Sequence, residues 1–431
     1  MFLLRRIFVL LIVFTLTLGP QSASAQGRLE DAFAELYATC LFDIQTVENN
    51  PFSQAASLAE ETLAPGLSGF IESNLAAIPL TPPSLDAEYT DGKVINVVTG
   101  FTPVYTESSA TVGEGLFLVG SNLSHSNLSQ IRGKELDDLQ FTFEQNGGGD
   151  RVSVTMPFDL RATVFTLHGA YGVTNRFDVG IALPFVRLSI ENVSPTFRVE
   201  GNNTGCRYSQ ELGQEVMWTC NGMGPRETPS SVRLYSFVGD QSETEFFLGT
   251  VALRAKYRFP VSVDAGRLAA VLDVRIPTRK ESNIVGRGNF GTHLTFVGEY
   301  NQLGTFEPYI NVGGEFWNGR SSNSFNAAFG FNQQFASNFF FTVDLLGEVA
   351  LEPDSFLGPI ENPSAEDAST ESVLTRSSIP AVKREHTLDA GVGLQWTLSP
   401  SVHAYGSALF ALLDRGLQST VAPTVGIAAH F

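Results

Sequence analysis

The chain has 431 residues, of which 43% are hydrophobic, 11% aromatic and only 17% charged, with 40 Gly, 34 Phe and a formal net charge of −18. So acidic a balance excludes a nucleic-acid partner, which demands basic surface. Beyond the N-terminal segment no apolar run is long enough for a membrane helix, so the chain can cross a membrane only as a closed barrel.

Residues 1–25 read as a signal peptide: Arg5 and Arg6 lead, Ile7 to Leu18 form the apolar core, and Ala23-Ser24-Ala25 is a small-x-small cleavage site. The apolar core falls short of the roughly 20 residues of a spanning helix. No cysteine follows the cleavage site, which argues against a lipoprotein. Removing Arg5 and Arg6 takes the net charge from −18 to −20.

Over 26–90 the pattern is helical. Leu29, Ala32, Phe33, Leu36, Cys40 and Leu41 recur at helical spacing, Asn50-Pro51 opens a second stretch to Leu63, and a third runs from Ser68 to Ala77. Pro79, Pro82 and Pro83 end the region. We expect a helical periplasmic segment over 26–90 that is a plug, a docking arm or a cap, with Cys40 as a buried thiol. Residues 91–110 are a linker or lead-in to the barrel.

From 111 onward the period is two. Strands are expected at 112–125, 152–172, 176–191, 246–258, 267–278, 291–301, 306–317, 325–335, 338–351, 386–397, 402–413 and 420–431. The connections alternate short and long, as in barrels with short periplasmic turns and longer outer loops. The expected fold is all-β, a transmembrane antiparallel up-and-down barrel of about 12 strands over 111–431, in a bacterial outer membrane. The last strand ends on Phe431, which we read as the signal for the barrel-insertion machinery. The outer loops carry Glu352, Asp354, Glu361, Glu366 and Asp367 and read as solvated and mobile.

Val164–Phe185 reads as the best hairpin. Phe165, Leu167, Gly169, Tyr171, Phe177, Val179, Ile181, Leu183 and Phe185 face outward; Thr166, His168, Ala170, Asp178, Gly180 and Ala182 face inward. Its words Gly169-Ala170-Tyr171-Gly172-Val173-Thr174-Asn175-Arg176-Phe177-Asp178-Val179-Gly180 and Leu183-Pro184-Phe185 resemble a hairpin of the outer-membrane barrels grouped as the MetA-pathway phenol-degradation, transporter-like family. The resemblance spans that hairpin and the terminal aromatic, and implies passage of small solutes, aromatic molecules among them. The region 26–90 and the long loop 192–245 depart from the compact form of that family.

Parity places Arg254, Lys256, Arg258, Arg267, Asp273 and Arg275 on one stretch of the inner wall. It places His293, Glu299, Glu307, Glu315, Asp344, Glu348 and Asp389 farther round. In a water-filled pore, opposed basic and acidic walls set up a transverse field that selects solutes. In a filled barrel the same residues form a buried ion-pair network. Both readings stay open, so the expected selectivity residues are Arg254, Lys256, Arg258, Arg275, Glu299, Glu307, Glu315, Asp344, Glu348 and Asp389.

Cys206 and Cys220 flank a loop and are expected to pair in an oxidising compartment. A stapled 192–245 loop keeps a second class open, a closed structural or adhesin barrel that binds a partner. No enzyme is expected: His125 and His403 have serines nearby but no nucleophile motif, and no metal or organic cofactor is implied. Expected partners are outer-membrane lipid, the insertion machinery and a small-molecule solute.

Overall fold

Alternation of apolar and polar residues builds twelve antiparallel strands that close into one barrel in the computed structural model. The strands are β1 Phe117–Ile131, β2 Asp159–Thr174, β3 Phe177–Val193, β4 Val251–Arg258, β5 Gly266–Ile276 and β6 Gly291–Tyr300. They continue with β7 Phe306–Trp317, β8 Ser324–Ala336, β9 Phe339–Ala350, β10 His386–Ser399, β11 Val402–Ala411 and β12 Ala422–His430. The structure describes 88–90, 93–96 and, from 106 onward, all but 146–150, 156, 194–195, 202–205, 211–215, 221–230, 237–240, 261–265, 279–289, 301–304, 319–322, 353–371, 381 and 383. The expected signal peptide, Cys40 and nearly all of the helical segment 26–90 lie outside the described residues. Glu88–Thr90, past the last expected helical stretch of that segment, is a strand paired with Lys93–Asn96.

Each strand pairs with its sequence neighbour, and β12 returns to β1 through Val425↔Leu123 and Ala429↔Val119. The seam ends on two reciprocal bonds. Phe117 N–H donates to the Phe431 carbonyl at 2.8 Å, and Phe431 N–H to the Phe117 carbonyl at 3.0 Å. Closure leaves no backbone edge facing lipid, which the bilayer requires. One irregularity lies along β3. Its first half pairs with β4 (Ala182↔Ala252) and its second half with Gln241–Leu248 (Phe185↔Leu248). Pro184 lacks an N–H there, and its carbonyl instead accepts from Gly249 N–H at 2.8 Å.

The outer face is apolar throughout the wall: Leu123, Leu253, Leu272, Phe296, Phe329 and Val425 are all exposed. Aromatic rings gather at the short-turn rim, where Phe117 lies 4.6 Å from Tyr171 and 6.0 Å from Phe431, and Phe339 stacks on Trp396 at 5.7 Å. An apolar belt edged by aromatic rings is the lipid-facing surface of an outer-membrane barrel. Inside, three lumen rings lie over glycines on the next strand. A Cβ on Gly120 would meet His168 at 2.2 Å, one on Gly426 would meet Tyr405 at 2.2 Å, and one on Gly330 would meet Tyr309 at 2.5 Å. Each glycine is the direct cross-strand partner of its ring, so only an absent side chain leaves room for it.

The connections keep the expected alternation, with the turn Asn175–Arg176 at one end and the long excursions at the other. The long ones depart from plain loops. Gln140–Gln145, Arg151–Thr155, Thr196–Gly201, Ser231–Ser236 and Ser372–Ser377 form a five-stranded sheet outside the barrel. Phe141 in the first of these strands is buried, as are Leu136, Leu139, Phe158 and Ile379 next to the strands in sequence. Arg132, in a tight turn at φ 50°, ion-pairs with Glu385 and donates to the Pro380 carbonyl at 3.0 Å. Glu352, expected on a mobile loop, instead accepts from Asn323 Nδ2 at 2.5 Å and from its backbone N–H. Asp354, Glu361, Glu366 and Asp367 lie outside the described residues. Cys206 and Cys220 are cross-strand partners in the hairpin Cys206–Gln210/Val216–Cys220. Their side chains, and with them the expected disulfide, lie outside the described residues.

Candidate functional site in the barrel lumen

The first expected strand, 112–125, begins late. Gly113 (φ 97°) and Gly115 (φ 78°) turn the chain sharply just ahead of β1, in a backbone region that favours glycine. Gly115 N–H donates to the Gly172 carbonyl at 2.8 Å and Gly172 N–H to the Leu116 carbonyl at 3.0 Å. The turn sends residues 106–112 into the lumen, where every one of them is buried.

This inner segment joins no β-ladder. Side chains of the wall hold it. Val112 N–H donates to Asp178 Oδ2 at 2.7 Å, Ser109 N–H to Glu299 Oε1 at 2.7 Å, and the Ser109 hydroxyl to Glu299 Oε2. Thr106 Oγ1 donates to Asp344 Oδ1 at 3.3 Å, and Tyr309 also donates to that oxygen. Asn311 Nδ2 donates to the Glu107 carbonyl at 3.1 Å. Glu107 is the one charge the segment carries inward: its carboxylate lies 2.7 Å from Arg254 Nη1 and 3.5 Å from Lys256 Nζ. The segment therefore spans from the basic stretch of wall to the acidic one and fills the short-turn half of the lumen.

The walls are paired as well as opposed. Arg254 grips Asp273 with both ends of its fork, Nε to Oδ1 and Nη2 to Oδ2, each at 2.7 Å. Bidentate pairs of this kind are the strongest that arginine makes. Arg275 Nη1 lies 2.6 Å from Glu315 Oε1 and sits over the Trp317 ring at 5.7 Å. Arg258 donates to the Asn175 carbonyl at 2.9 Å. The transverse field expected from two bare walls is thus largely cancelled at its basic side by Asp273, Glu315 and Glu107.

Above the inner segment, the long-loop half of the lumen holds a cavity of about 310 Å³. Thr106, Glu107 and Arg254 form its floor; Arg275, His293 and Glu315 make a polar side. Leu128, Ala170, Ala182, Leu346 and Leu409 add apolar lining, and Glu348 and Asp389 stand among them, Asp389 paired directly with Leu346 on the next strand. Volumes of this order fall at the lower end of those that hold small ligands.

The structure brings Arg254, Arg275, Glu315, Glu348 and Asp389 together around the cavity. Lys256, Glu299 and Asp344 contact the inner segment below it. Arg258 lies at the short-turn rim, and Glu307 keeps the parity of Tyr309 and Asn311 and pairs across to Asn332. The sequence reading missed Glu107, Ser109 and Tyr309. The one available signal was Gly113-Glu114-Gly115, placed where an unbroken strand was expected. His403 Nδ1 meets Gln395 at 3.2 Å and Thr397 at 3.3 Å, and His125 Nδ1 meets Thr163 at 3.0 Å, so among the described residues these nitrogens hydrogen-bond amide and threonine groups. Among the described residues no group of three or more His, Cys, Asp or Glu is placed to hold a metal ion.

No family model matches the chain, and no curated protein does. Among solved structures, an outer membrane channel from Pseudomonas putida F1 is 11% identical with a TM-score of 0.41, over 74% of this chain and 97% of that one. The CymD monoaromatic hydrocarbon channel is 9% identical with a TM-score of 0.34, over 74% and 89%. The KdgM porin is 8% identical with a TM-score of 0.32, over 68% and 98%. Likeness at this level carries no statement about solute or mechanism, and the assignment to an outer-membrane barrel stands on strand closure and the apolar belt.

Proposed function

We propose that the protein is an outer-membrane channel for small amphipathic solutes, aromatic ones among them, with the inner segment 106–112 as its stop. The observation that carries this reading is the cavity bordering that segment, lined by apolar and charged residues together. A barrel built only for rigidity has no need of an accessible void lined by ion pairs, since packed apolar side chains serve stability as well or better. The segment suits a displaceable stop because polar groups hold it, and water or a solute can replace them. A solute-flux assay tests the reading: liposomes carrying the refolded chain should release small aromatic solutes faster than empty liposomes. Equal rates, from protein shown to be folded, would overturn it.

The outer sheet favours a second reading, a barrel that presents a partner-binding surface. Five paired strands, with buried apolar residues in and beside them, make a platform more fixed than loops alone. The two readings separate when the outer sheet is cut back. A channel keeps its flux, whereas a binding barrel loses its partner and has no flux to lose.

A further inference from the structure

Glu107 is held in an unusual way. Glu107 is buried, 4% exposed, and its carboxylate faces two cations with no directed donor besides them among the described residues. The reason lies in Arg254. Two of its three nitrogens are fixed on Asp273, so Nη1 is the one left to approach Glu107, which it does at 2.7 Å. Lys256 adds a second contact at 3.5 Å. A buried carboxylate normally collects directed donors, so this one is held by charge and by the chain it belongs to.

The local charge count gives the consequence. Arg254, Lys256 and Arg258 face Asp178, Asp273 and Glu107. With Glu107 in place these six groups are neutral; with Glu107 withdrawn they carry one net positive charge, beside further cavity charges, Arg275 and Arg415 against Glu315, Glu348 and Asp389, that sum to one negative. An uncompensated cation in a half-dry lumen is costly, so withdrawal of the inner segment favours entry of an anion in its stead. That position also lines the cavity, with Ala182 and Ala170 on the neighbouring strands beside Arg254 and Leu346 and Leu409 on the far wall to receive an apolar body.

We infer that the solute taken by this cavity is a small monocarboxylate with an apolar, ring-sized body, and that Glu107 is an internal competitor occupying the solute's carboxylate position on Arg254 and Lys256. The inference rests on the channel reading above and names its substrate class. A free carboxylate, unlike Glu107, can turn both oxygens to the exposed donors. Binding then removes the charge that draws segment 106–112 to the basic wall and leaves its hydrogen bonds at Thr106, the Glu107 carbonyl, Ser109, Thr111 and Val112 to hold it.

Calorimetric titration of the refolded full chain in detergent tests this, with benzoate, benzyl alcohol and benzylamine as probes and Glu107→Gln beside the unaltered chain. Glu107→Gln removes the competing charge while keeping the shape, so benzoate should bind it about tenfold tighter or more. Benzyl alcohol should bind both alike. Lys256→Gln should remove the preference for benzoate over benzyl alcohol, and it keeps the test alive if Glu107→Gln does not fold. Equal benzoate affinity with and without the Glu107 charge, preference for benzylamine, or a benzoate preference that survives Lys256→Gln would each overturn the inference. Calorimetry needs no flux. The binding pattern without flux would sink the channel reading alone, and flux without the pattern would sink this inference alone.

Discussion

Gly172 in β2 and Gly113 in the inward turn touch so closely that a Cβ built on Gly172 would lie 1.7 Å from the Gly113 carbonyl oxygen. The first strand and the inner segment diverge at that contact. Without room for it, Gly113–Gly115 cannot pack on β2, and the chain has no fixed route into the lumen.

Gly172→Ala should therefore dislodge the turn while leaving the twelve-strand ladder intact. Overpacking of this kind costs about 1–3 kcal/mol. The expected outcome is a lower unfolding midpoint together with a higher rate of solute release. Gly347→Ala serves as the control, because a Cβ there meets nothing closer than 3.8 Å. Equal release from both variants would count against the turn as the base of the stop.

Glu315→Gln leaves Arg275 on the cavity wall without its carboxylate. The effect on stability should be about 1–3 kcal/mol, below that of a fully dry pair because the cavity hydrates both groups. Under a salt gradient the reversal potential should move toward anion preference. Neutralising Glu307, Glu315 and Glu348 together should move it further in the same direction. An unchanged potential in the triple variant would show that these carboxylates do not set selectivity.

The strands were legible in the sequence because lipid on one side and a polar lumen on the other impose a two-residue period that no turn can hide. Expected and observed bounds agree closely for β5 to β12, and the charged residues fell on the inner face because parity, once set by Phe177, Val179 and Ile181, propagates along the wall. The inner segment was not legible. Thr106-Glu107-Ser108-Ser109-Ala110-Thr111-Val112 has no period of its own, and its partners Asp178, Arg254, Glu299 and Asp344 are far off in sequence. The outer sheet was hidden for the same reason: Ser372–Ser377 pairs with Gln140–Gln145, more than two hundred residues earlier. In each case local pattern reports the solvent on each side of a strand, while long-range pairing decides what fills a loop or a lumen.

Removing Phe431 deletes both backbone bonds to Phe117 and the ring stacked on it at 6.0 Å. The seam between β12 and β1 then frays at the short-turn rim, and the last residue of the proposed insertion signal is lost. Less protein should reach the membrane as folded monomer, read as the heat-modifiable band on a gel. Full recovery of that band would contradict a role for Phe431 in assembly.

Phe296→Arg places a cation on the lipid face of β6, where Phe296 is half exposed. Such a charge costs about 2–4 kcal/mol near the bilayer midplane and less at the rims. Urea unfolding in lipid vesicles should show a loss of this size, with Leu413→Arg, in the outer loop, nearly neutral. Equal effects at the two positions would mean that the apolar belt does not face lipid.

The most direct test of the account is single-channel conductance in a planar bilayer, comparing the full chain with a variant whose residues 106–112 are replaced by glycine and serine. The full chain should give small or rare steps and the variant larger, longer-lived ones, since the polar anchors to Asp178, Glu299 and Asp344 and the Glu107 charge are gone. Identical conductance from two folded barrels would contradict the claim that this segment closes the lumen.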